Sequence, residues 1–437
     1  MSIRSIISGA LGGTERFQKN FLKIASASLA AQIISLAFLP ILTRLYTSSE
    51  FGIFTTYTMV QSVSLAFVTG RVDWLIPNAK SDEDAQRLIA LGFVFTAIFI
   101  SLIACTTLAN TDAIARILKM SEDHIALKLL PIGIISGATQ LLFQSWYVLK
   151  GDLTYVGWAK FFQALFTVLI SLILGVFALQ GINGLILGYI SGFFVAAAIL
   201  IWKTKIIKSI QPFFRTHHIR SALKAKAGQI FSSTALSLTN VGMTMSLIVL
   251  ILTFYGNTIL GWYGLVFRLA TAPIGLITTG LVQSFWSDAA ILVKTKPEQL
   301  KRFYLQSTKR LCVVAIPFTL IYLCGPLYIP LIFGREEWSG AGVILMSVTP
   351  YLFGMIVFSS TTHLIVYDKA HWQLLCDLTT LIISVIVFAT LASKGYSAAH
   401  AIFASSCIML SGYILRFFVH LKANRAAQKA IDDIARS

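Results

Sequence analysis

Two stretches of the chain, Leu88 to Thr111 and Leu311 to Gly334, each run for 24 residues without Asp, Glu, Lys or Arg. A helix needs about 20 apolar residues, rising ~1.5 Å each, to cross ~30 Å of hydrocarbon. Both runs therefore read as membrane spans. Two longer uncharged runs, Phe161 to Trp202 and Ala227 to Phe267, are interrupted by the turn signals Gly181-Ile-Asn-Gly184 and Tyr255-Gly-Asn257, so each reads as a helical hairpin. Transmembrane strands would instead alternate apolar and polar residues over ~10 positions, and no segment does. Of 437 residues 56% are hydrophobic and 12% charged, against about 25% charged in a soluble protein, and too few charges remain to cover a water-facing surface. A mean hydropathy of +0.78 likewise excludes disorder.

Twelve spans are expected, at about 21–45, 51–70, 88–110, 125–149, 155–179, 182–202, 230–254, 258–286, 307–326, 340–366, 370–393 and 397–419. An even number places both termini on one side. That side holds 28 of the 35 Lys and Arg residues, six lie on the other, and Arg268 falls inside a span. Positive charge collects on the cytoplasmic side, so both termini are expected there. The short apolar patch Ile6 to Gly13 is not a signal-peptide core, and the N-terminus is expected to stay. The net charge of +17 is then accounted for by bases at span borders facing anionic headgroups, which removes the argument for nucleic-acid binding.

The segment Lys203 to Lys226 has seven bases and no acid and sits near the middle of the chain. The expected organisation is an N-terminal arm (1–20), a six-helix bundle (21–202), a basic linker (203–229), a second bundle (230–420) and a charged tail (421–437). A faint repeat joins the halves. Tyr46, Gly52 and Phe54 recur at an offset of 209 residues as Tyr255, Gly261 and Tyr263, each time between the first and second spans of a half. Two repeats of six helices are a transporter layout.

The five cysteines form no C-x-x-C pair and read as small core residues, and no H-E-x-x-H or phosphate-binding loop occurs. No metal or cofactor is expected, and no outer loop is long enough for a catalytic domain. Charges at membrane depth are costly and mark function by default. Arg268 is the foremost of these. Arg44, Arg71, Lys160 and Arg416 lie nearer span ends, where snorkelling to the headgroups competes with a role inside, Arg416 being the clearest snorkeler. An arginine fork binds phosphate bidentately and stays charged when partly buried, so such groups suit a polyanionic lipid headgroup. Asp377 in span 11 and Asp73 at the base of span 2 are the candidate ion-coupling acids, for H⁺ or Na⁺, with helix capping or pairing to Arg71 as the structural alternative for Asp73. Trp146, Trp158, Trp262, Trp286 and Trp372 read as interfacial belt residues, and Pro40, Pro131, Pro273, Pro317 and Pro350 as bends within spans.

Several motifs resemble the polysaccharide transport family of Wzx-type O-antigen flippases, within the MOP superfamily that includes MATE exporters. They are Leu42-Thr-Arg-Leu-Tyr46 with Ser49-Glu-Phe-Gly-Ile-Phe54, Gly261-Trp-Tyr-Gly264, Phe267-Arg268-Leu269, Pro273, Leu281-Val-Gln-Ser284, Pro330-Leu-Ile-Phe-Gly334 and Trp338-Ser-Gly-Ala-Gly342. Together they cover about residues 20–420. The resemblance implies an all-α polytopic membrane protein, with about 12 transmembrane helices in two pseudo-symmetric six-helix bundles around a central cavity. It also implies an undecaprenyl-diphosphate-linked oligosaccharide as cargo, moved to the periplasmic leaflet of a bacterial inner membrane by alternating access. A cationic lumen maps onto Arg44, Arg71, Lys160 and Arg268. Coupling to an ion gradient, and work alongside a polysaccharide polymerase and chain-length proteins, belong to the same expectation. A MATE-like exporter of organic cations would favour acids over bases, and a polytopic glycosyltransferase or polymerase would need a catalytic constellation. Relatives that flip peptidoglycan precursors usually carry two further C-terminal helices.

Overall fold

A computed structural model describes residues 15–120, 124–177, 183–204, 206–295, 297–334, 336–359 and 370–436. The N-terminal arm up to residue 14 and the end of the expected tenth span lie outside them. All regular structure among the described residues is helical. By contact the chain divides into two compact units. One is Gly13–Ile248 with Gly256–Gly261, and the other is built mainly from Trp262–Ser437 with Val249–Tyr255.

The first unit contains α1 (Glu15–Ala37), α2 (Leu39–Leu45), α3 (Ser48–Leu65), α4 (Asp82–Ala109), α5 (Thr111–Ile117), α6 (His124–Lys150), α7 (Thr154–Phe177), α8 (Asn183–Trp202) and α9 (Ile206–Ile210). The run α10 (Thr216–Thr295) passes from this unit into the other and is broken at Gly256, where φ is 84° and ψ −171°. That break falls inside the expected Tyr255-Gly-Asn257 turn, at the residue type that tolerates positive φ. The second unit continues with α11 (Pro297–Leu323), α12 (Gly325–Phe333), α13 (Ala341–Val357), α14 (Ala370–Ser393) and α15 (Ala398–Arg436).

Helix starts follow from the sequence. Thr47 and Glu50 form a reciprocal capping box at α3, with the Thr47 N–H donating to Glu50 Oε2 at 2.7 Å. Ser81 caps α4, whose first turn holds Asp82, Glu83 and Asp84, the sign that the helix dipole favours. Pro40 begins α2 after a break at Phe38 and so does not bend a continuous helix.

By length and composition eight described helices can cross a membrane, and α11 with α12, bent by 63° at Cys324, makes a ninth. The expected second span is α3, which carries enough Ser, Thr and Gln to fall below that criterion and is buried over most of its length. The expected seventh and eighth spans share α10, and α13 is shorter than expected among the described residues. In α6 61% of the apolar window is buried and in α7 only 11%, so α6 is interior and α7 peripheral. Phe177, Phe194 and Leu327 are more than half exposed on outer faces, which hydrocarbon tolerates and water would not.

Trp146 is 7% exposed and packs in a core with Leu88, Leu142 and Leu200, so it is not a belt residue; its spacing near a span end gave no sign that α4 and α8 cover it. Trp158 and Trp372 are exposed as expected, and the Trp286 side chain lies outside the described set. Cys105 and Cys324 are exposed, against the expectation of core cysteines, Cys105 on α4 and Cys324 at the bend between α11 and α12. The basic linker is itself folded. Ile206 and Ile210 of α9 and Ile230 of α10 are buried in the same core as Trp146.

Without a hydrophobic driving force between helices in lipid, close backbone approach and interhelical hydrogen bonds carry the packing. The α7–α8 pair shows this. A methyl on Gly188 would overlap Ser171 and lie 2.7 Å from the Thr167 carbonyl oxygen, and one on Gly192 would lie 2.6 Å from that of Gln163. Gly188→Ala is therefore expected to destabilise the protein by about 1–3 kcal/mol through overpacking. A lowered thermal unfolding midpoint in detergent, compared with Gly228→Ala whose surroundings are open, would measure it.

Candidate functional site

In the first unit the chain leaves α3 through two consecutive left-handed residues, Gly70 (φ 61°) and Arg71 (φ 53°). Side chains rarely accept that backbone. Here the contacts of Arg71 hold it. Arg71 Nε donates to Ser237 Oγ at 2.7 Å, and Nη2 contacts the same oxygen. Nη1 lies 3.4 Å from Asp73 Oδ2, and the guanidinium sits 4.8 Å above the Trp74 ring. Asp73 is 3% exposed and also accepts from Thr69 Oγ1 at 2.7 Å. The pairing of Arg71 with Asp73 was readable from their spacing; Ser237, 166 positions away on α10, was not.

Arg44 lies in the last turn of α2 and is exposed, while Lys160 is half-buried on α7. Arg44 and Arg71 stand before and after α3, whose 18 residues span ~27 Å. One diphosphate cannot meet both at once.

In the second unit α14 and α15 form an antiparallel pair with polar rungs. Asp377 faces Arg416 at 3.2 Å, Thr380 faces Gly412, and Ser405 Oγ donates to the Ser384 carbonyl at 3.2 Å. Arg416 is 6% exposed, its guanidinium 4.5 Å from the Tyr413 ring centre. Tyr413 is hydrogen-bonded to Arg416 and to Tyr351, and the Tyr351 and Tyr413 ring centres lie 6.2 Å apart. The reading of Arg416 as a snorkeler is thus corrected. A base near a helix end reaches the headgroups only when no partner lies beside it, and Asp377 lies beside it on the neighbouring helix. The signals present in the sequence were Tyr413 and Arg416 at i, i+3 on one face and a carboxylate on the preceding helix. Arg268 is half-buried on α10, one position after Phe267, which stacks on Tyr263 at 5.5 Å.

A cavity of 610 Å³ opens among α11, α13 and α15, lined by residues such as Leu323, Met346, Pro350, Phe353, His400 and Phe403. It has no Lys or Arg in its wall and so does not suit a diphosphate. Among the described residues no three His, Cys, Asp or Glu side chains gather as a metal would require.

With this geometry in hand, the family described as "Polysaccharide biosynthesis protein" matches residues 41–342. No curated protein matches by sequence. Solved structures show the same fold. A multidrug resistance MATE family transporter of the MOP superfamily, in an inward-facing conformation, has a TM-score of 0.71 at 13% identity, over 98% of each chain. The lipid II flippase MurJ, inward closed, has a TM-score of 0.68 at 12% identity, over 93% of this chain and 89% of its own. A Vibrio cholerae MATE transporter has a TM-score of 0.59 at 13% identity, over 98% of each chain.

The Asp377–Arg416 pair makes a specific demand. Arg416→Ala would leave a buried carboxylate uncompensated, and breaking such a pair costs about 3–5 kcal/mol. The double change Arg416→Met with Asp377→Leu should recover most of that loss. Thermal unfolding of the two variants and the parent in one detergent checks the order.

Proposed function

We propose, from the premise that this chain belongs to the polysaccharide biosynthesis protein family, that it is a flippase for undecaprenyl-diphosphate-linked oligosaccharide repeat units. Its cargo passes from the cytoplasmic to the periplasmic leaflet of a bacterial inner membrane, with both termini cytoplasmic, by alternating access. Downstream, a polysaccharide polymerase and chain-length proteins would receive the flipped unit, such as an O-antigen repeat.

The observation that carries the reading is electrostatic. Both acids singled out at membrane depth, Asp73 and Asp377, are already matched by an arginine, Arg71 and Arg416. Arg44 and Lys160 add two further bases to these pairs, so the bases singled out outnumber the acids. An exporter of organic cations needs the opposite balance. A diphosphate entering an apolar protein would cost several kcal/mol per ion without fixed cations to meet it. Arg268 is the residue assigned to that headgroup, with Arg44, Arg71 and Lys160 engaging it at other stages of its passage. The polyprenyl chain needs no such help, since it can stay in lipid.

Coupling is assigned to H⁺ or Na⁺ through Asp377 and Asp73. Each carboxylate is held by an arginine, so a cation competes with a guanidinium for it. An arriving phosphate competes for the same guanidinium from the other side. Cargo and coupling ion would thereby be linked through shared arginines.

Arg268→Ala should abolish export of the sugar repeat, and Arg268→Lys should retain part of it, because the ammonium keeps the charge and loses the bidentate fork. The measurement is surface polysaccharide in cells with each variant as the sole copy, at equal protein level. Normal polysaccharide with the alanine variant would remove Arg268 from the site.

A further inference from the structure

Helix α8 is apolar enough to cross hydrocarbon up to Trp202, and the chain then turns through α9, a short 3-10 turn (Gln211–Phe214) and the first turns of α10. One side of this elbow is bound to the core of the first unit. Ile206, Ile210 and Ile230 are buried there, and Phe213, Ile219 and Ala222 pack against the same residues. From α4 the Arg87 guanidinium lies 5.8 Å from the Phe213 ring centre. The elbow is thus a folded surface with an inner and an outer face.

The outer face is both apolar and basic. Trp202 is 81% exposed, Ile207 51% and Phe214 47%. An exposed side chain within a span meets hydrocarbon, whereas Ile207 and Phe214 follow the end of one and would meet water. Beside them Lys203, Arg215, Arg220 and Lys224 are exposed and form no ion pair among the described residues. Lys203 Nζ lies 5.0 Å from the Trp202 ring centre. Arg220 and Lys224, four residues apart, share a face of α10 turned away from the one that Ile219 and Ala222 bury. The first turn of α4 carries three acids, but these have other partners. Asp82 pairs with Lys150, Glu83 pairs with Arg87, and Asp84 accepts from the Lys80 N–H at 3.4 Å. The general bias of positive charge towards the cytoplasm orients a chain and requires no such grouping of unpaired bases around exposed apolar side chains.

We propose that this elbow is a binding surface for anionic phospholipid headgroups, with Trp202, Ile207 and Phe214 set into the headgroup layer and the four bases on the phosphates. Interfacial segments are held by buried apolar area and by attraction to anionic lipid acting together, and the elbow offers both. A soluble polyanion would satisfy the bases and leave Ile207 and Phe214 in water. The lipid concerned is that of the surrounding bilayer, so the inference is independent of the cargo and stands whether or not the flippase assignment does.

The test places the full-length protein in nanodiscs of phosphatidylcholine, with or without phosphatidylglycerol, and follows amide hydrogen exchange peptide by peptide. Exchange over residues 203–224 should be several-fold slower with phosphatidylglycerol, and raised salt should shrink the difference by screening. The combined variant Lys203→Gln, Arg215→Gln, Arg220→Gln, Lys224→Gln should lose the effect, and its changes are all at exposed positions, which favours folding. A control that removes the same charge from exposed positions on α11, Lys301→Gln, Arg302→Gln, Lys309→Gln, Arg310→Gln, should keep it. Trp202→Ser with Phe214→Ser should weaken it at unchanged charge. Equal exchange in the two lipids would overturn the proposal. So would loss of the effect in the α11 control or its full retention in the serine variant, either of which reduces it to net charge. Equal slowing by soluble polyphosphate in phosphatidylcholine alone would assign the surface to a soluble polyanion and overturn it as well.

Discussion

A charge placed among helices that span hydrocarbon is costly unless polar or charged groups of the protein stand in for the water that would solvate it. Each of the two units meets this constraint with an arginine and a carboxylate. In the first, Arg71 is drawn into a left-handed backbone and braced by Ser237, Asp73 and Trp74. In the second, Arg416 and Asp377 set one rung of the α14–α15 pair, and Gly412 lets Thr380 approach one turn away. Local structure follows from the electrostatics in both places. The strained turn after α3 persists because Arg71 has three partners, and the register of α14 against α15 persists because a slip would separate the pair.

The same pairing governs what the remaining charges can do. An arginine already shared with a carboxylate can exchange that partner for a phosphate only if the carboxylate is met by something else. A proton or a metal cation is the obvious replacement. Under the proposed function, coupling of an anionic cargo to a cation gradient would follow from such shared bonds, with no need for long-range communication. Arg44 and Arg71 stand either side of α3, so under the proposed function one headgroup would meet them in succession.

Much of the fold was legible because hydrocarbon imposes a length and forbids charge, and both show in a single sequence. The Gly256 break fell within a turn signal, and the capping box at Thr47 and Glu50 is a local pattern. What could not be read was the identity of neighbours. Trp146 and Arg416 both sit near span ends, and a rule based on depth sent both to the interface. Leu88, Leu142 and Leu200 cover the one and Asp377 claims the other, and these residues lie on other helices or turns away along the chain. The Arg71–Asp73 pair was accessible because its partners are two residues apart. Ser237 was not, for want of any sequence relation to Arg71. The charges of the basic linker are its conspicuous feature, and Ile206 and Ile210, one helical turn apart, are the sign that part of it packs onto the core.

Helix α3 shows why polar residues in such a chain cannot be assigned to a cargo site by polarity alone. Its Ser, Thr and Gln content would suit a water-filled passage, but most of those side chains are committed to packing. Gln61 donates to the Gly133 carbonyl at 3.1 Å, Thr55 and Thr56 return to their own helix, and Gly52 lies against Asn257. A helix pressed by neighbours on two faces cannot rely on apolar surface for cohesion in lipid, so it relies on small residues and hydrogen bonds. Its low hydropathy is thus the mark of an inner position. The charged groups carry more information than the polar ones, since a hydroxyl can be satisfied by the turn before it and a guanidinium cannot.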